Sequence, residues 1–65
     1  MNFIRLETVS HDDIVINPNA ISYFVESYNG VFMYMLGKKK PEHINASVSE
    51  IVSLLDEMSI EEGSK

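Results

Sequence analysis

His11, Asp12 and Asp13 stand side by side near the start of the chain, an imidazole next to two carboxylates. Such a set could hold a metal ion or pass a proton. Consecutive residues of a strand or turn point in different directions, however, and no third ligand stands at a recognisable spacing. The trio therefore reads as a solvated turn. The other imidazole, His43, lies far along the chain beside Ile44 and reads as a strand surface residue. There is no cysteine, which removes thiolate ligands and disulfides together. Serines are plentiful, but none sits in a nucleophile elbow, and no glycine-rich loop could cradle a phosphate. The expectation is a protein without catalytic residues, metal or cofactor.

Lys38, Lys39 and Lys40 form the only basic cluster. Set beside aromatic residues on a sheet, they could contact a nucleic acid. Opposed to this is a net charge of −5, from ten acidic and five basic residues, with Arg5 the only arginine. Nucleic-acid affinity rests on phosphate neutralisation by Lys and Arg. The favoured reading is a solvated loop that pairs loosely with Asp56, Glu57, Glu61 and Glu62, with nucleic-acid contact through the hairpin and these lysines as the alternative. Asn45-Ala46-Ser47 matches a glycosylation sequon, but it carries no meaning without a secretion signal.

At 65 residues the chain is a single small domain near the lower limit for independent folding. With disulfides excluded, oligomerisation is the support left to it. The N-terminus has no apolar run long enough for a signal peptide, and no segment approaches a membrane span. A cytoplasmic protein is expected.

The elements that would position any site follow from the apolar pattern. Residues 2–9 alternate, with Ile4, Leu6 and Thr8 on one face and Phe3, Arg5 and Glu7 on the other, which predicts a half-buried strand. A polar turn over 10–13 leads to a short strand over 14–17. In Asn17-Pro18-Asn19-Ala20-Ile21 the asparagine can cap and the proline sets φ for one tight turn. Residues 21–27 and 31–36 flank Asn29-Gly30, the pair that suits a type I′ hairpin turn. Gly37 to Pro41 is a loop, and residues 42–45 make a last short strand with Ile44 as its core residue. Ser47 and Glu50 form a capping box at the head of a helix over 46–58, whose apolar stripe is Val48, Ile51, Val52, Leu55 and Met58, widened by Leu54. Residues 59–65 are expected to fray, leaving a domain over 1–58.

The hairpin presents two apolar faces. A turn at Asn29-Gly30 pairs Tyr28 with Val31, Glu26 with Met33 and Phe24 with Met35. Ile21, Tyr23, Val25, Phe32, Tyr34 and Leu36 then share the opposite face. Only one face can meet the helix. The other must meet a second sheet layer, close into a barrel or lie against another subunit. A lone carboxylate is disfavoured in a sealed core, so the face of Phe24, Glu26, Tyr28, Val31, Met33 and Met35 is expected to be a protein interface, and the uncharged face to pack on the helix.

The order of these elements resembles the FlbD-like family of very small proteins, over about residues 3 to 55. The matching points are Leu6, Ile16-Asn17-Pro18, Ile21, Ser47-Val48 and Glu50-Ile51. Gly37-Lys38-Lys39 stands where that family commonly has Thr-Asn-Gly, and Ile44-Asn45-Ala46 where it has Val-Lys-Glu. The resemblance implies a link to flagellar or swarming motility, and similar short proteins occur on phages and mobile elements. Length and element order are also similar to small RNA-binding dimers of the CsrA type, whose basic contact positions are not matched here. The expected architecture is α+β: a twisted antiparallel sheet or partial barrel of four or five strands with one C-terminal helix. The expected function is a non-enzymatic protein-interaction or assembly adaptor, self-associated and most simply a dimer.

Overall fold

Alternating residues place Ile4 and Leu6 on the inner side of strand β1 (Ile4–Glu7) and leave Arg5 and Glu7 in water. In the computed structural model, which describes the backbone of residues 3–63 and the side chains of residues 3–57, β1 pairs antiparallel with β2 (Asp13–Ile16). The register sets Ile4 opposite Ile16 and Leu6 opposite Ile14, so one face of this ribbon is wholly aliphatic. His11 takes a left-handed conformation (φ 70°) in the connecting turn, the position that closes a three-residue hairpin loop. Thr8 Oγ1 accepts from the Asp12 N–H at 3.1 Å inside that turn.

Asn17 opens a single 3-10 turn, Pro18–Ala20, and its side-chain oxygen accepts from the Asn19 N–H at 3.0 Å. Strands β3 (Ile21–Ser27), β4 (Gly30–Met35) and β5 (Glu42–Ile44) follow as a three-stranded antiparallel sheet in that order. The two sheets are stitched together where β1 ends. The Val9 N–H donates to the His43 carbonyl at 3.0 Å, and the Asn45 N–H donates to the Glu7 carbonyl at 2.8 Å. The fold is thus α+β, with a strongly bent antiparallel arrangement closed by one helix, α1 (Val48–Gly63).

Helix α1 begins at the capping box. The Glu50 N–H donates to Ser47 Oγ at 3.1 Å and the Ser47 N–H donates to Glu50 Oε1 at 2.8 Å, which satisfies two otherwise free donors reciprocally. Ile51 is the helical residue driven fully into the core, with Val48, Leu54 and Leu55 packed against it. Val52 turns outward, so the stripe is narrower than its apolar letters imply. The Met58 side chain lies outside the described residues, as do the side chains of Glu61 and Glu62. The helix backbone continues to Gly63, past the expected end at Met58.

The core joins Ile4 and Ile16 of the ribbon, Val31, Met33 and Ile44 of the three-stranded sheet, and Ile51 of the helix. Both a second sheet layer and the helix therefore cover one face of the hairpin, and that face is the one carrying Val31 and Met33.

The hairpin register differs from expectation. Ser27 pairs with Gly30, Glu26 with Val31 and Phe24 with Met33, so the turn residues are Tyr28 and Asn29. Apart from glycines, only His11 among the described residues has positive φ, so no type I′ turn forms at Asn29-Gly30. Gly30 serves a different need. Its φ is 156°, and a Cβ there would lie 2.2 Å from the Ile44 carbonyl oxygen. Glycine lets β5 approach β4. The shift keeps each residue on its expected face, because moving both partners by one residue preserves the alternation. Ile21 is the exception: a bulge between Ile21 and Tyr23 pairs Ile21 with Met35 and turns it toward the core.

Candidate functional site: the outer face of the three-stranded sheet

The residues singled out for chemistry do not converge. His11 Nδ1 lies 3.2 Å from Glu7 Oε2, while Asp13 pairs with Arg5 at 3.6 Å, so the His-Asp-Asp run splits between two partners. Among the described residues no group of three His, Cys, Asp or Glu side chains could hold a metal ion. Lys38 pairs with Glu42 at 2.5 Å, and Lys39 and Lys40 stand in water beside it. The described core contains no polar or charged side chain. A shallow groove of about 480 Å³ lies between β1 and α1, lined by Leu6, Ala46, Ile51 and Leu54 with Glu50 and Glu57. It brings no set of reactive groups to one point.

The expected interface is overturned. Val31 and Met33 are 0 % exposed, and Phe24 and Met35 pack against the core. Glu26 and Tyr28 alone of that set are solvent-exposed. The charge was a misleading guide, because β3 is longer than the part of it that is covered. Glu26 sits one pair before the turn, opposite Val31, and shares a shallow polar recess with Ser47 and Glu50. A carboxylate there remains hydrated and leaves the rest of its face free to be core.

The opposite face is the one left uncovered. Tyr23 on β3 is 53 % exposed and Val25 44 %, while Leu36, just past β4, is 65 % exposed. Cross-strand register places Tyr34 beside Tyr23 and Phe32 beside Val25, and His43 on β5 beside Phe32. The rings of Tyr23 and Tyr34 stack at 4.5 Å with planes 14° apart. Phe32 and His43 stack at 4.2 Å with planes 21° apart. Such contacts hold the rings in fixed orientations, so the surface is preorganised. His43 is further held by a 2.9 Å hydrogen bond between its Nε2 and Ser27 Oγ. A serine beside an imidazole is half of a nucleophilic device. The side chains joined to this imidazole are a ring stack and that hydroxyl, which orient a sheet surface.

No formal charge stands on this face. The nearest charged side chains lie beyond its edges or on its covered side. The loop after β4 carries Lys38, Lys39 and Lys40. At the hairpin tip, Glu26 and Glu50 lie on the covered side of the sheet, Glu26 sharing the side of Phe24 and Val31 and Glu50 belonging to the helix, and the Glu7 carbonyl and carboxylate meet Asn45 just past β5. Sequence reasoning placed Tyr23, Phe32 and Tyr34 together on one hairpin face but expected that face to pack on the helix, and it read His43 as a strand surface residue. The sequence signal that could have corrected it was Ile44, the one aliphatic residue of β5: pairing with Val31 makes that side of β4 the core side. Comparison with protein-family models, with curated proteins and with solved structures gives no match.

Proposed function

We propose that this protein is a non-enzymatic binding module that works through protein–protein contact at the outer face of β3, β4 and β5. The observation that supports it is the neutral, stacked surface of Tyr23, Val25, Phe32 and Tyr34 with His43. Interface cores are enriched in aromatic residues and depleted in charge, and large exposed apolar patches on small domains mark contact sites. No described helix is long and apolar enough to cross a membrane. The resemblance to the FlbD-like family points the module toward motility, acting in the cytoplasm as an adaptor or assembly factor.

Photo-crosslinking in the cell tests the reading. A crosslinking residue at Val25 or Tyr34 should give adducts with protein, while the same residue at exposed Val15, on the other sheet, should not. Equal adducts from all three positions would remove the outer face from consideration.

A second reading has one observation in its favour: aromatic rings in fixed stacks on a sheet face form the kind of platform on which unpaired bases stack. The lysines, however, stand at one end of this platform only, and the chain as a whole is acidic. Mixed oligonucleotides near physiological salt should show no measurable binding. Salt-sensitive binding in the micromolar range, lost on changing Lys38, Lys39 and Lys40 to alanine, would transfer the function to nucleic acid.

A further inference from the structure

We infer that the free edge of β3 receives an extended segment of another protein as an added antiparallel strand. A basic residue of that segment stands opposite Glu26, and apolar residues stand beside Tyr23 and Val25. This rests on reading the outer face as a protein-binding surface, and it names the kind of partner and the mode of contact.

The backbone carries the inference. Ser27 and Gly30 flank a two-residue turn and pair with each other, which makes them a hydrogen-bonded pair. Alternation from that pair turns the N–H and C=O groups of Val25 and Tyr23 toward β4, and those of Phe24 and Glu26 away from it. Carried across β4, the same alternation turns His43 and Asn45 outward, and there they bond to Val9 and Glu7 at the end of the first ribbon. The β5 side of the sheet is thereby closed. The β3 side is open: among the described residues no strand pairs with it, and no hydrogen bond outside the ladder reaches the N–H or C=O of Phe24 or Glu26. Such a row of backbone donors and acceptors is a template for one more strand.

This edge is also unguarded. Native sheets blunt their open edges with short strands, prolines or lysines. Strands β1 and β2 are four residues each. Strand β3 has seven residues, no proline, no lysine and one formal charge, on Glu26. Its bulge lies between Ile21 and Tyr23, so the stretch from Tyr23 to Ser27 is regular.

The side chains state what the added strand carries. Tyr23 and Val25 point to the outer face and stand largely in water, so an apolar neighbour beside each would cover them. Glu26 points to the other side and is exposed. A Lys or Arg opposite it completes a cross-strand ion pair, and the net charge of −5 favours a basic segment. A second copy does not meet these terms. Two-fold self-pairing within the regular stretch is centred on Phe24, Val25 or Glu26. The first sets Glu26 against Ser22 inside the bulge, the second sets it against Phe24, and the third sets two carboxylates side by side.

NMR titration of the isotope-labelled protein with a capped peptide Thr-Lys-Val-Thr-Val-Thr, up to about 1 mM, tests the inference. The N–H signals of Phe24 and Glu26 should shift and gain protection from hydrogen exchange, while those of Tyr23 and Val25, already in the ladder, keep theirs. A peptide with glutamate in place of lysine should bind several-fold more weakly, and Glu26→Lys should reverse that preference. Glu26→Pro removes an outward N–H without touching the ladder and should abolish binding, with circular dichroism checking the fold. If that variant fails to fold, N-methylation of the peptide at its lysine and middle threonine, the two amides that would face β3, decides in its place and should abolish binding. Unchanged Phe24 and Glu26 signals at the highest peptide concentration would overturn the inference. Protection of the same amides by raising the protein concentration alone would also overturn it, giving the edge to a second copy. With the inference overturned, crosslinks from Val25 or Tyr34 to a different protein in the cell would leave the binding-module reading standing, and their absence would end both.

Discussion

Ser27 on β3 reaches across β4 to His43 on β5, with 2.9 Å between Oγ and Nε2. The residue opposite Ser27 on the intervening strand is Gly30, which has no side chain to block the path. The same glycine lets the Ile44 backbone approach β4 closely. One missing side chain thus allows both a core contact and a surface contact, and it couples the buried side of the sheet to the aromatic side.

Gly30→Ala should accordingly be severe. Its Cβ would meet backbone, which cannot swing away as a side chain can. A loss well above about 1 kcal/mol is expected, enough to threaten a domain of this size. Gly37 also has positive φ, 81°, but a Cβ there meets nothing within 4 Å. Gly37→Ala should therefore cost only the conformational strain of about 1 kcal/mol. Urea midpoints that ranked the two equally would contradict the close-approach account.

Ile51 and Val52 separate the two sides of the helix. Ile51→Ala removes a fully buried side chain and should cost about 2–5 kcal/mol. Val52 is 42 % exposed, and Val52→Ala should stay within about 0.5 kcal/mol. Met33→Glu would bury a carboxylate among aliphatic residues and should unfold the protein at every concentration. A folded, soluble Met33→Glu would reverse the assignment of hairpin faces.

Ser47→Ala breaks the reciprocal cap with Glu50 and should lower stability by about 1 kcal/mol. The denaturant slope should be unchanged, since the compactness of neither state depends on the cap. A midpoint equal to wild type would show that water replaces the serine at no cost.

His11 offers a stabilising change. An L-residue in the left-handed region costs roughly 1–2 kcal/mol, and glycine avoids this while adding chain entropy to the unfolded state worth up to about 1 kcal/mol. The exposed contact with Glu7 contributes little. His11→Gly should raise the thermal midpoint modestly, and a fall would show that the Glu7 contact matters more than the backbone.

The Tyr23–Tyr34 stack contributes about 0.5–1.5 kcal/mol beyond the area it buries. A double-mutant cycle with Tyr23→Ala and Tyr34→Ala, measured at low concentration, should return a coupling in that range. A coupling near zero would mean that the rings gain their order from an additional contact.

Much of this molecule is legible in its sequence because much of it is local. The aliphatic side of β1, the 3-10 turn at Asn17-Pro18 and the Ser47–Glu50 cap each depend on residues a few positions apart, where period and hydrogen-bond reach are set by backbone geometry. The identity of the buried hairpin face is of another kind. Both faces are apolar, so hydrophobicity carries no preference, and the lone charge of Glu26 pointed the wrong way because it sits where the strand outruns its cover. Only long-range pairing resolved it. Once Ile44 lay beside Val31 and the β1–β2 ribbon folded over Ile4 and Ile16, the parity of the strands assigned every remaining residue. Tyr23, Phe32, Tyr34 and His43 were then left outside, and the surface they form follows from how the strands meet, which no short stretch of the chain contains.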